Sequence, residues 1–191
     1  MKRLTTQEAL ALVMPYITGH VTVCANGFIS RAACAADDKE ASFYMIGSMG
    51  LAAPIGLGIA LAQPERRVAV LDGDGNVLMN LGELAMIASR APARFLHIVI
   101  DNGVYASTGD QPTISRDVAL EAVARACGYR EALRVRDGAG IDTELPRLVL
   151  AEGPVMLLIE TQPDPGKPAP RVAHTPAEMV TRMRGALGVG L

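Results

Sequence analysis

The sequence predicts an α/β fold, a doubly wound parallel sheet with helices on both faces. Three observations carry that expectation. Short apolar runs alternate with longer stretches of helical period, the pattern of βαβ units rather than of hairpins. The apolar runs are almost unbroken, as strands covered on both faces require. Half of the 191 residues are hydrophobic, aromatics make up only 4%, Trp is absent and Gly numbers 19, which suits close helix-on-sheet packing.

The elements follow in order. Thr5 or Thr6 caps a first helix reaching about Tyr16, with Glu8 near the capping-box position. Residues 21–25 read as a strand ending at Asn26-Gly27, and a short helix follows from Ser30. Residues 42–46 form the next strand, and Gly47-Ser48-Met49-Gly50 is a turn opening a helix to about Gln63. Residues 67–72 are a strand followed at once by Gly73-Asp74-Gly75. Val77, Leu78, Leu81, Leu84, Ala85 and Ala88 then mark one helix over 76–89. A buried strand over 95–100 ends at Asp101-Asn102-Gly103, and a polar loop runs to about Ser115. Beyond it lie a helix near 118–127, a strand over 131–135, a helix over 142–151 interrupted by Pro146, and a last strand over 154–160. A Pro-rich surface connection (163–170) leads to a closing helix over 176–187. With no internal repeat, residues 1–191 form a single domain, right-handed at its crossovers.

Charge and cysteine content narrow the function. The formal net charge is −2 with Lys and Arg scattered, so no nucleic-acid surface is expected. Cys24, Cys34 and Cys127 show no CxxC spacing, which argues against a disulfide framework or structural zinc and fits a reducing cytoplasm. The start of the chain lacks the apolar core of a signal peptide. Residues 43–62 are uncharged and about as long as a membrane span, but Gly47, Gly50, Pro54, Gly56 and Gly58 divide them into strand, turn and buried helix, so no membrane association is expected.

In such a sheet ligands bind beyond the carboxyl ends of the strands, where the strand order reverses. Three loops there are chemically loaded: Asn26-Gly27-Phe28, Gly73-Asp74-Gly75-Asn76 and Asp101-Asn102-Gly103-Val104-Tyr105. Two glycines admit a ligand close to the backbone. A carboxylate between them would repel bare phosphate, but fits where a cation such as Mg²⁺ bridges it to phosphate oxygens. Asn102 follows Asp74 across one helix and one strand, which brings both loops to the same sheet edge. On this motif alone, a plain tight turn with Asp74 as helix N-cap is an equal reading. A dinucleotide fingerprint is the weaker alternative, because the third Gly is missing.

Gly73-Asp74-Gly75-Asn76 followed by Asp101-Asn102 resembles the thiamine diphosphate signature, a GDG ending in paired asparagines. The resemblance implies Asp74, Asn102 and the Val104 carbonyl as Mg²⁺ ligands and Asn76 as a diphosphate contact. Asp101 departs from the pattern, standing where the first Asn is expected. Gly47-Ser48-Met49-Gly50 resembles the turn whose Gly carbonyl meets the aminopyrimidine, with Met49 as the apolar wedge that bends the cofactor. Asn26, Gly27, Gly73, Gly75 and Tyr105 complete the expected cofactor contacts.

The stretch from Phe43 to Ala52 and the loop Tyr105-Ala106-Ser107-Thr108-Gly109-Asp110-Gln111-Pro112-Thr113 further resemble sulfopyruvate and phosphonopyruvate decarboxylases, in particular a separately encoded β subunit. That resemblance implies thiamine diphosphate- and Mg²⁺-dependent conversion of a 2-oxo acid bearing a second anionic group to an aldehyde and CO₂. It also implies that the activating glutamate lies on a separate α subunit carrying the PYR domain, so that this chain is inactive alone and has no catalytic residue of its own. Arg31 is the first candidate for binding the second anion, with Ser107 and Thr108 next. His97, in a buried strand, reads as a satisfied core residue. An acetohydroxyacid synthase fragment, a 2-oxo acid oxidoreductase subunit and a non-enzymatic nucleotide-binding module are the alternatives.

Overall fold

A computed structural model describes residues 3–189. Its centre is a six-stranded, wholly parallel sheet: β1 (Val21–Cys24), β2 (Ser42–Tyr44), β3 (Val68–Gly73), β4 (Phe95–Asp101), β7 (Glu131–Val135) and β8 (Val155–Glu160). The spatial order is β2-β1-β3-β4-β8-β7. All residues of β1, β4 and β8 are buried, which is why their sequences are continuous apolar runs rather than alternating ones.

The helices form two layers. On one face α1 (Thr6–Val13) packs against both α2 (Phe28–Ala36) and α7 (Gly138–Leu148). On the other face α5 (Glu83–Arg90) packs against α3 (Ala52–Ala62) and α6 (Leu120–Cys127). The crossovers through α2 and α7 step along the sheet in one direction, and those through α3, α5 and α6 step in the other. That is what a single handedness of βαβ crossover demands. Gly56 brings α3 close over the sheet, since a Cβ there would fall on the Val70 side chain. α8 (Pro176–Leu187) packs against β2 at the sheet edge.

Local chemistry fixes the ends. Thr5 and Glu8 make a reciprocal capping box at α1, the Glu8 N–H donating to Thr5 Oγ1 at 3.2 Å and the Thr5 N–H to Glu8 Oε2 at 2.8 Å. Thr175 and Glu178 repeat the device at α8, with Pro176 in the first turn. Residues 43–62 divide between β2, a turn and the 11-residue α3, and among the described residues no helix is long and apolar enough to cross a membrane. The three cysteines are free.

Three expectations need correction. The single helix over 76–89 is two, α4 (Asp74–Met79) and α5, because Asn80 leaves helical geometry (φ −140°, ψ 57°) and its side-chain N–H₂ donates to the Gly50 carbonyl at 2.9 Å. Leu81 and Ala85, counted in the apolar stripe, are therefore exposed, while Glu83 and Ile87 are buried. Pro146 does not interrupt α7, which starts earlier, at Gly138, capped by Asp137 accepting from the Gly140 N–H at 2.8 Å. The loop after β4 contains a small antiparallel pair, β5 (Val104–Tyr105) with β6 (Gln111–Pro112).

Candidate functional site

From β1 the chain moves outward to β2, then returns to β3 on the other side of β1, so the strand order reverses between β1 and β3. The loops leaving the carboxyl ends of β1, β3 and β4 meet beyond this switch point, where α/β sheets bind their ligands. A cleft opens there, walled by Asn26 from the first loop, Gly73, Asp74, Gly75 and Asn76 from the second, and Asn102, Val104, Tyr105, Ser107 and Thr108 from the third. Met49 reaches it from the turn after β2.

Asp74 is the first residue of α4, set down directly at the end of β3, and is 2% exposed. Its Oδ2 accepts the Thr113 hydroxyl hydrogen at 2.5 Å. Burial, reinforced by the Asp101 carboxylate, pushes the Asp74 carboxyl up to about 6, against the opposing hydrogen bonds from Thr113, Ser115 and the Gly75 N–H. Asn102 Oδ1 accepts the Val104 N–H at 3.0 Å, closing a tight turn around Gly103, whose φ is +75°. This turn points the third loop back over the second.

The turn after β2 is tied to α4 by both polar groups of Gly50. Its N–H donates to Asn76 Oδ1 at 2.7 Å and its carbonyl accepts from Asn80. Those bonds place Met49 at the cleft, with its Cε 3.3 Å from where a Cβ on Gly75 would stand. The same Cβ would lie 2.5 Å from Tyr105 Cε1, so only glycine permits this close approach of ring and turn.

Two buried polar atoms on residues lining the cleft have no hydrogen-bond partner among the described residues: the Asn26 side-chain carbonyl oxygen and the Asn76 side-chain amide nitrogen. Unsatisfied buried donors and acceptors are costly, and so is a carboxylate without a counter-charge. A cation held by Asp74 offers the counter-charge, and an anionic ligand joined to it offers the acceptor that the Asn76 amide nitrogen lacks. The residues present thus fit a metal–phosphate group at this cleft.

Some sequence-flagged residues lie elsewhere. Gly47 and Ser48 border a separate apolar depression with Ile46, Ile55 and Met179, and Ser48 has a left-handed backbone (φ 57°). Gly27 and Arg31 border a second cavity, continuous in its walls with the first through Asn26, Phe28 and Ser107. His97 is satisfied in the core, its Nδ1 3.2 Å from the Tyr129 hydroxyl and its Nε2 3.1 Å from Asp72 Oδ2. Thr113 and Ser115, which hold Asp74 and Asp101, were not singled out by sequence. Their one signal is a pair of hydroxyl residues at the end of the polar loop.

Comparison with known proteins matches residues 23–159 to the family described as "Thiamine pyrophosphate enzyme, C-terminal TPP binding domain". The phosphonopyruvate decarboxylase of Streptomyces viridochromogenes is 40% identical over 182 residues, covering 95% of this chain and 45% of that protein. The sulfopyruvate decarboxylase subunit beta of Methanococcus maripaludis is 35% identical over 189 residues, covering 96% of this chain and 98% of that subunit. The chain thus spans less than half of the first relative and nearly all of the second. In structure it is similar to a thiamine diphosphate-dependent 4-hydroxybenzoylformate decarboxylase of Rhodococcus jostii RHA1. The TM-score is 0.69 at 20% identity, over 86% of this chain and 34% of that one, a likeness of fold.

Proposed function

Because the chain belongs to the thiamine pyrophosphate enzymes through their C-terminal TPP binding domain, we propose that it is the cofactor-binding β subunit of a thiamine diphosphate- and Mg²⁺-dependent decarboxylase. Its substrate is a 2-oxo acid bearing a second anionic group, 3-sulfopyruvate or 3-phosphonopyruvate. The observation that carries this reading is the dry Asp74 carboxylate at the switch-point cleft, facing the Asn102 turn, with the orphaned amide groups of Asn26 and Asn76 beside it.

Thiamine diphosphate, when bound, supplies the electron sink that loss of CO₂ from a 2-oxo acid requires. The residues of this chain position it. Asp74 and Asn102 offer two hard oxygen ligands to Mg²⁺, with the Val104 carbonyl as a third. The Asn76 amide N–H₂, without a partner among the described residues, is a donor for the diphosphate. Met49, supported from below by the Gly75 turn and held in place by Gly50, gives an apolar, adaptable surface for the bent cofactor. Gly73 and Tyr105 complete the contacts, while Gly27, Gly47 and Ser48 border the adjoining cavities. Arg31, Ser107 and Thr108 border the space where the substrate's second anion would lie.

Two relatives, one matched over 98% and one over 81% of its own length, are named as subunit beta. The reading therefore includes a separate α chain carrying the PYR domain and its glutamate, which completes the site at a shared interface. Two measurements test it. Calorimetry with thiamine diphosphate should show binding that requires Mg²⁺ and is lost in Asp74→Ala. Reconstitution with a PYR-domain chain should release CO₂ from sulfopyruvate or phosphonopyruvate, and activity on pyruvate alone would sink the substrate class.

A further inference from the structure

The cavity beside the cofactor cleft sets beside Arg31 a second cation, Arg171, that the reading above does not use. Arg31 on α2 and Arg171 on the C-terminal segment both line it. Every other residue lining it is neutral or histidine, with no Asp or Glu, and among the described residues neither arginine has a carboxylate partner. Among the described residues Arg66, Arg67, Arg90 and Arg125 also lack a carboxylate partner, but none of them lines this cavity. Arg116, Arg134, Arg136, Arg147 and Arg182 all face carboxylates.

Arg31 is held rather than free. Its Nε–H donates to the Ala169 carbonyl at 2.6 Å, and its guanidinium stacks on the Phe28 ring at 5.1 Å from the centroid. Both contacts use the Nε side and one flat face, leaving the terminal N–H₂ groups as donors. Ala169 lies two residues before Arg171, so the bond that fixes Arg31 also fixes the segment that carries Arg171. That segment is fastened at both ends. The Gln7 N–H donates to Asp164 Oδ1 at 3.1 Å, and His174 Nε2 lies 2.8 Å from Asp38 Oδ2. The ring of His174 is thus engaged with Asp38 and serves as wall rather than as ligand. The Pro-rich stretch between these anchors loses little entropy on ordering.

We propose that Arg31 and Arg171 form an anion subsite that receives the second acidic group, sulfonate or phosphonate, of a small carboxylic acid seated against the cofactor cleft. The two cavities share the wall of Asn26, Phe28 and Ser107, so the arginines lie next to the reacting end of the cleft. Guanidinium suits this role because its fork of N–H donors matches the tetrahedral oxygens of either group. The C-terminal segment then sets specificity, and its proline-rich course serves to present Arg171. The inference rests on the decarboxylase reading for the reacting end of the ligand, but the subsite itself is tested without turnover.

Titration calorimetry of the full chain with sulfoacetate, phosphonoacetate and acetate separates the two ideas. The first two probes carry the second acid group and no reactive carbonyl. Sulfoacetate or phosphonoacetate should bind at least 10-fold more tightly than acetate, the stronger of the two identifying the preferred acid group. Arg171→Gln should weaken that binding about 10- to 100-fold, and Arg171→Lys should recover part of it. Equal binding of acetate, no binding of either dianion, or an Arg171→Gln chain that binds the dianions like the wild type overturns the subsite. In the reconstituted enzyme, Arg171→Gln should lower the ratio of kcat/KM for the dianionic 2-oxo acid to that for pyruvate, through KM. If the dianion probes bind as expected but the wild-type complex decarboxylates pyruvate alone, the subsite stands and the substrate assignment falls.

Discussion

Thr113 donates its hydroxyl hydrogen to Asp74 Oδ2 at 2.5 Å, although 39 positions separate the two residues in the chain. Thr113 Oγ1 also lies 3.0 Å from Ser115 Oγ, and Ser115 donates to Asp101 Oδ1 at 2.7 Å. A row of four side chains therefore runs from the cleft to Asp101, which two arginines approach at 3.8 and 3.9 Å. Asp101 stands where the family signature has its first asparagine, and the row gives that departure a use. It anchors the far end of the chain of hydroxyls that orients the Asp74 carboxylate.

Removing the hydroxyl while keeping the side-chain shape isolates this effect. Thr113→Val should weaken Mg²⁺-dependent binding of thiamine diphosphate about 10-fold or more, in the range found when an outer partner of a metal ligand is lost. Thr113→Ser should retain most of it. The check is the Mg²⁺ midpoint of cofactor binding followed by calorimetry. An unchanged midpoint in the valine variant would mean that Asp74 needs no such support.

The row also has a proton count. With both carboxylates ionised, the two hydroxyl hydrogens go to Asp74 and Asp101, and the Thr113–Ser115 contact has none left. A proton on Asp74 completes the row, which runs in the same direction as the upward push of its pKa to about 6. Cation and proton then compete for one carboxylate. Cofactor–metal affinity should be level above pH 7 and fall about tenfold per pH unit well below 6, with close to one proton released per cation bound near pH 5. Calorimetry in buffers of different ionisation enthalpy counts that proton, and zero release at pH 5 would contradict the arrangement.

Asp74 and Asn102 were legible in the sequence because each ends a buried strand and lies within a few residues of a glycine that marks the turn. Periodicity located the sheet for the same reason, since six apolar runs had no other use. The supporting residues left no such trace. Thr113 and Ser115 reach the site only through the fold of a polar loop, and a hydroxyl has no periodic signature. Asn80 ended a helix whose apolar stripe continued past it, because its amide found the Gly50 carbonyl, a contact made across 30 positions. Arg171 was equally hidden, its place set by Ala169 meeting Arg31 across 138.

Glu83, buried in the first turn of α5, gives a stability prediction. It is 3% exposed, neither carboxylate oxygen has a partner among the described residues, and burial together with the Asp72 charge pushes its pKa up to about 10. The folded chain therefore keeps a proton that the unfolded chain releases above its ordinary value of 4.5. Stability should fall as pH rises from about 5 toward the folded pKa, because over that window the native state binds more protons than the unfolded state. Glu83→Gln, a neutral mimic of the protonated acid, should remove that slope. At pH 8 it should add at least ~1 kcal/mol, roughly 2–4 °C in Tm. A lower Tm for the variant at pH 8 would show that the carboxylate is charged and supported.

The close approach between the Gly75 turn and the Tyr105 ring is open to a paired test. A Cβ at position 75 would stand 2.5 and 2.8 Å from Tyr105 Cε1 and Cδ1, well inside van der Waals contact. The ring is rigid, so the strain must move the third loop, which also carries Asn102 and Val104. Gly75→Ala should therefore cost about 1–3 kcal/mol of stability, as overpacking does, and weaken Mg²⁺-dependent cofactor binding. Tyr105→Ala removes the obstacle. Combined with Gly75→Ala, it should restore much of the lost stability, giving a coupling of about 1 kcal/mol or more in a double-mutant cycle read by denaturant unfolding. Additive effects would show that the alanine is resisted by the turn's own backbone, and that the loop carrying the second metal ligand is positioned independently of the ring.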